Sequence, residues 1–181
     1  MGILTKYLEK IRERKIKPFI DGYVLDIGCG PAKAITYKNV SKYYGIELNK
    51  KDVIKLSKKY PRGIFYSKNL EKDEINLKEK VNVVIMSAFI EHIFNYENSI
   101  LQAVKNLKND GIIVITTPTK FGDKVHRFGA SIGLFSKEAV EDHKKMFTKK
   151  DFEEISKKFN LKIRNFSYFE LFCNQLVVFE K

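Results

Sequence analysis

Apolar positions along this chain fall into two rhythms. The runs Tyr23–Ile27, Tyr43–Glu47, Ile64–Tyr66, Val81–Met86 and Ile112–Thr116 are short, rich in strand-forming residues and nearly continuous in apolar character. Strands of a parallel sheet covered on both faces have this pattern. Between several of them the spacing lengthens to that of a helix: Lys51–Lys59 is one such segment, and Glu97–Leu107 is another, with Ile100, Leu101, Val104 and Leu107 on one face. Strand alternating with helix predicts an α/β sheet. Ahead of the first strand, Ile3, Leu4, Tyr7, Leu8 and Ile11 recur at helical spacing. Residues 1–20 therefore read as an amphipathic helix that stops before Pro18.

The C-terminal end breaks the alternation. Thr148 is placed to cap a helix carrying Phe152, Ile155 and Phe159, and two strand runs follow, Leu161–Phe169 and Leu176–Glu180, with six residues between them. Six residues cannot make a parallel crossover, so the last strand is expected to run antiparallel to its neighbour. Thr117–Met146, rich in Gly, Lys and Phe, reads as one long irregular insert on the substrate side. No repeat or low-complexity linker divides the chain, and residues 1–181 are expected to form a single domain.

Composition narrows the class. Hydrophobic residues at 44% and charged residues at 31% of 181 describe a globular protein rather than a disordered one. Cys29 and Cys173 give neither a disulfide framework nor metal-ligand spacing, and no metal is expected. No apolar run nears the ~20 residues of a membrane span, and the first twenty residues lack a signal-peptide core, so the expected location is cytoplasmic. The formal charge of +12 raises the question of a nucleic-acid partner. Lysine supplies 29 of the 34 basic residues, scattered from Lys6 to Lys181, whereas arginine is the usual tool for phosphate recognition. The excess reads as a compositional habit or heat adaptation rather than a binding patch.

The chemistry concentrates in "YVLDIGCGPA", Tyr23 to Ala32. In open α/β sheets, ligands bind beyond the carboxyl ends of the strands, where strand order reverses. Gly28 and Gly30 fall at such an end, and glycine lets a ligand reach backbone that a Cβ would shield. The dinucleotide fingerprint G-x-G-x-x-G fails, because Lys33 occupies its sixth position. Asp26 ahead of the turn would repel a pyrophosphate and attract an ammonium group. Glu47, twenty-one positions after Asp26, ends the second strand, where a carboxylate accepts both hydrogen bonds of a ribose diol. The implied ligand is a nucleoside bearing a positive group.

With these residues in place, "VLDIGCGPA", "YGIEL", "VNVVIMSAFIEHI", "LKNDGIIVITTPT" and "HKKMFTKKDFEEISKKFNL" resemble the class I S-adenosylmethionine-dependent methyltransferases over roughly residues 20–181. The resemblance implies a Rossmann-like, doubly wound, mostly parallel seven-stranded sheet with an antiparallel last strand, and S-adenosyl-L-methionine as cofactor. It also implies roles. Asp26 would orient the amino-acid end, with Gly28, Cys29 and Gly30 lining the approach. Glu47 would hold the ribose hydroxyls and Leu48 pack on the adenine. Asn69 stands where the family usually has an Asp that accepts the adenine amino group, with the Leu70 N–H meeting a ring nitrogen. Ser87 and Ala88 would border the sulfonium. Ala32 stands where a third glycine is usual, and Asn82 replaces an Asp common at the start of the fourth strand.

A methyl sulfonium is already electrophilic, so alignment is the protein's main task, and an oxygen or amine nucleophile adds a need for a base. His92, in "IEHI", is the first candidate; its competing role is to line the pocket. His126, in the insert with Arg127, Phe121 and Phe128, could contact substrate. His143 would brace the insert against the terminal helix. The fourth strand ends in "SAFI", Ser87 to Ile90, lacking the Asp/Asn-Pro-Pro-aromatic patch, the cysteine and the Asp that the resembling nucleic-acid enzymes use. A small molecule, lipid precursor or sugar is the expected acceptor. The alternatives are RNA methylation through the basic surface, or a cofactor-binding protein without turnover.

Overall fold

The computed structural model describes residues 5–131 and 143–181. Seven strands make one sheet in the order β3-β2-β1-β4-β5-β7-β6: β1 Gly22–Ile27, β2 Val40–Glu47, β3 Ile64–Ser67, β4 Val81–Ser87, β5 Leu107–Pro118, β6 Lys162–Phe169 and β7 Asn174–Glu180. The strands β1 to β5 pair in parallel, whereas β7 lies antiparallel between β5 and β6. This is the Rossmann-like α/β sheet that the sequence led us to expect. The short connection between the last two runs forces the reversal, because β6 and β7 can only be a hairpin.

Unbroken apolar runs are explained by the two-sided burial of the sheet. Val24, Val83, Ile85, Ile112, Val114 and Val178 point to one face, where they pack with Ile16, Ile20 and Leu56. Leu25, Ile27, Val84, Met86, Ile113, Ile115 and Phe179 point to the other, against Ile100, Ala103, Phe152 and Ile155. Helices α1 Thr5–Ile16 and α2 Lys50–Lys59 supply the first layer, and α3 Tyr96–Asn106 and α5 Lys149–Lys158 the second. The Thr148 cap of α5 is a full capping box with Asp151.

The expected irregular insert is more regular than the sequence suggested. Thr117 and Pro118 still belong to β5, and α4 covers Lys120–Ser131. Helical spacing was hidden there by two glycines, one of which has a packing reason. A Cβ on Gly122 would fall 1.8 Å from the Cys173 carbonyl oxygen, so α4 can lie against the β6–β7 turn only with glycine at that point. The later part of the insert, 132–142, lies outside the described residues. Asn82 has a structural role: its Oδ1 accepts the Tyr23 N–H at 3.0 Å and the Lys108 ammonium at 3.1 Å.

Candidate cofactor and acceptor site

The sheet order reverses between β1 and β4, and two cavities open at their carboxyl ends. One, of about 250 Å³, is lined by Asp26, Gly28, Cys29, Gly30, Ser87 and Ala88, with Glu9, Arg12 and Glu13 of α1 forming its outer wall. The other, of about 240 Å³, is lined by Gly28, Glu47, Leu48, Asn69, Leu70, Phe89 and Ile93. Gly28 borders both. Every cofactor residue named from the sequence is therefore on this double cavity.

The two glycines do different things. Gly28 has φ +68°, and a Cβ there would sit 2.3 Å from the Phe89 ring. The loop can thus lie under an aromatic wall only because the side chain is absent. Gly30 has φ +47° and its Cβ would meet nothing within 4 Å, leaving open space above bare backbone. Ala32 adopts the same left-handed region, φ 54°, and is fully buried, which explains why glycine suits that position.

Asp26 is buried, and the Tyr43 hydroxyl donates to its Oδ2 at 2.7 Å. Burial pushes its carboxyl up to about 7, against the Tyr43 hydrogen bond and with help from the Glu47 charge. Glu47 folds back on the loop: Oε2 accepts the Gly30 N–H at 3.2 Å and Oε1 the Leu48 N–H at 2.8 Å. This carboxylate ties the tip of β2 to the Gly-rich turn and keeps lone pairs for a diol. Leu48 is 65% exposed at the cavity rim. Asn69 is partly committed, since its Oδ1 accepts the Glu71 N–H at 3.0 Å while its own N–H donates to Asp73. Cys29 contributes backbone; its side chain is buried in the α1 and α2 layer, where burial raises the thiol far above its ordinary value. Ser87 Oγ lies 3.1 Å from Thr116 Oγ1, and Ala88 N–H donates to Thr116 O.

Sequence reasoning missed Arg12. Its guanidinium lines the larger cavity and its Nε is buried without a hydrogen-bond partner. The available signal was rarity, since the chain has five arginines among 34 basic residues. An acid, an arginine, a second carboxylate and bare glycine backbone line the double cavity, a set whose charges complement those of S-adenosylmethionine.

Beyond Ala88 the three histidines of the chain gather. His92 ends the single turn Ile90–His92, and its ring centroid is 5.1 Å from that of His143. His143 Nδ1 donates to Asp123 Oδ1 at 2.7 Å, which braces the segment before α5 against α4. Asp123 also accepts from Arg127 Nε at 2.8 Å. Burial opposes ionisation of Asp123, yet Arg127 and His143 together hold it below its usual range. His126 is pushed down by burial and by the charges of Arg12 and His143. Glu91 is 1% exposed, and burial raises its carboxyl.

A Rossmann-like sheet with an acid-and-glycine turn after β1 and an acid at the tip of β2 defines a nucleoside-cofactor enzyme. The family model "Methyltransferase domain" matches residues 3–165, and the chain belongs to the class I S-adenosylmethionine-dependent methyltransferases. Solved structures share the fold at low identity. A chain from the complex of the Haloferax volcanii Trm112 methyltransferase activator with a methyltransferase is 11% identical, covering 97% of this chain and 92% of that one with a TM-score of 0.75. A TehB-like S-adenosylmethionine-dependent methyltransferase from Corynebacterium glutamicum is 15% identical over 97% of this chain and 93% of its own, TM-score 0.67. Magnesium protoporphyrin IX methyltransferase from Synechocystis, solved with bound S-adenosylhomocysteine, is 14% identical over 97% and 82%, TM-score 0.66. No curated protein matches. Among the described residues, no helix is long and apolar enough to cross a membrane.

Proposed function

We propose that the protein methylates a small-molecule acceptor that reaches the cofactor at the tips of β1 and β4, beside helix α1. The observation that supports this reading is the wall that Glu9, Arg12 and Glu13 raise along a cavity of about 250 Å³, which the cofactor's amino-acid end shares with the approach to Ser87 and Ala88. A pocket of that size suits a metabolite-sized group. The scattered charge agrees, because many lysines are spent in local pairs such as Lys33–Glu13, Lys42–Glu79, Lys105–Glu74 and Lys158–Glu97.

The cofactor supplies an activated methyl on a sulfonium. Asp26 takes the ammonium of its amino-acid end, Arg12 the carboxylate and Glu47 the ribose hydroxyls. Asn69, Leu70 and Leu48 border the adenine. Ser87 and Ala88 would lie beside the sulfonium, and alignment of an acceptor there would supply most of the acceleration. His126, whose pKa burial pushes down, and His92 are the two candidates to take a proton from an oxygen or amine acceptor.

The test uses S-adenosylmethionine carrying a tritiated methyl and a cell extract fractionated by size. Label in molecules below about 1 kDa supports the reading; label confined to the RNA fraction overturns it in favour of the nucleic-acid alternative.

A further inference from the structure

Glu91, His92 and His143 each place one ligand atom within 4.8 Å of the others. Two metal–ligand bonds of ~2.1 Å span at most ~4.2 Å, so side-chain shifts on the order of 1 Å close the set on one ion. The two halves of this cluster are 51 residues apart in sequence, yet the backbone fastens them: the Lys144 N–H donates to Glu91 O at 2.7 Å, and the Lys145 N–H to the same oxygen at 3.3 Å.

A second observation points to a ligand. Glu91 is 1% exposed and its Oε2 has no hydrogen-bond partner. A buried carboxyl oxygen left without a hydrogen bond is destabilising; the charges of His92 and Arg12 already bear on this carboxyl, and a directly bound cation would satisfy it. A third concerns orientation. With His143 Nδ1–H donated to Asp123, Nε2 is the nitrogen left to coordinate, and a carboxylate behind a ligating histidine is the usual way its tautomer is fixed.

We infer that Glu91, His92 and His143 form a binding site for a single divalent transition-metal ion of the zinc, manganese or iron class. Three protein ligands from one carboxylate and two imidazoles leave coordination positions open. The turn carrying Glu91 and His92 follows directly on Ser87 and Ala88 of the cofactor cavity. The open positions are available to an acceptor oxygen or nitrogen that reaches past Ser87 and Ala88, and this use rests on the reading above. Ligation also takes His92 out of the role of base and leaves His126 for it. Asp123 is a positioning residue that acts through His143.

The experiment is a titration of chelator-treated, dialysed full-length protein with Co²⁺, followed by its visible absorption, with Zn²⁺ as competitor. One Co²⁺ per chain is expected, with bands displaced by one equivalent of Zn²⁺. Glu91→Gln and His143→Gln abolish the spectrum, and Asp123→Asn lowers metal affinity roughly 10–100-fold. S-adenosylhomocysteine binding, measured by calorimetry on each variant, reports folding and the cofactor site separately. No stoichiometric cobalt spectrum in the parent protein, or an undiminished one in variants that still bind S-adenosylhomocysteine, overturns the metal site. Loss of cofactor binding in the parent protein would count against the proposed function instead.

Discussion

The two halves of the crevice are finished to different degrees. On the cofactor side the carboxylates already have protein partners: Asp26 has Tyr43, and Glu47 has the Gly30 and Leu48 amides. The loop from β3 to β4 is likewise stitched to α3, with Gln102 Oε1 accepting the Ile75 N–H and Asn106 accepting the Leu77 N–H. Elsewhere in the crevice, Arg12 Nε on its outer wall and Glu91 Oε2 and Thr117 Oγ1 beyond it are buried without a hydrogen-bond partner. Buried polar atoms normally find partners. The contrast is between polar groups that the protein itself holds and polar groups that still lack partners.

The most severe break should come at the joint, Gly28. Gly28→Ala forces a residue with a side chain into φ +68° and into the Phe89 ring, which should cost roughly 2–5 kcal/mol of stability. Thermal melts should fall sharply and cofactor binding should vanish; a stable variant with normal affinity would show that Phe89 does not close over the loop. Glu47→Ala comes next. Removing the charged acceptor of the diol should weaken S-adenosylmethionine roughly 10–100-fold by calorimetry, with melting little changed. Arg12→Ala sharpens the boundary between the halves. About tenfold weaker cofactor binding would place Arg12 on the cofactor carboxylate, whereas unchanged affinity with slower transfer would move it to the acceptor.

A proton gives a smaller effect with a definite sign. Asp26 titrates near 7 when folded and near 3.9 when unfolded. The folded state therefore holds the extra proton between those values. The contribution of Asp26 to stability falls as pH rises from about 4 to about 7 and is flat above. Binding of an ammonium to the carboxylate has the opposite trend. Affinity should drop about fivefold from pH 7 to pH 6 and level off above pH 8. Asp26→Asn should flatten that profile while melting no lower than the parent at pH 8. The mildest change is Gly30→Ala, whose Cβ enters open space; a loss of about 1 kcal/mol in stability is expected from the positive φ alone.

Legibility in the sequence followed the same divide. The sheet could be read because each strand leaves an unbroken apolar run, and β7 because a six-residue gap permits only a hairpin. Asp26, Gly28, Gly30 and Glu47 lie close to strand ends, so spacing along the chain is also spacing in space. Arg12 and Asp123 could not be read in that way, and His143 was legible as a brace but without its partner. They come from α1, α4 and the segment before α5, and only packing reveals that they share one neighbourhood. The helix α4 was hidden because its glycines weaken helical propensity, while the reason for Gly122, a carbonyl in the β6–β7 turn, lies fifty residues away in the chain.

The inserted hairpin has a consequence for assembly. Within the sheet β6 touches β7 alone, and β7 is what joins it to β5. The five parallel strands can associate before either arrives, and during that interval β5 presents a bare, apolar edge. Such an edge invites pairing between nascent molecules. Docking of the hairpin covers that edge and leaves β6 as the outermost strand, and any delay before it docks would lengthen the exposure.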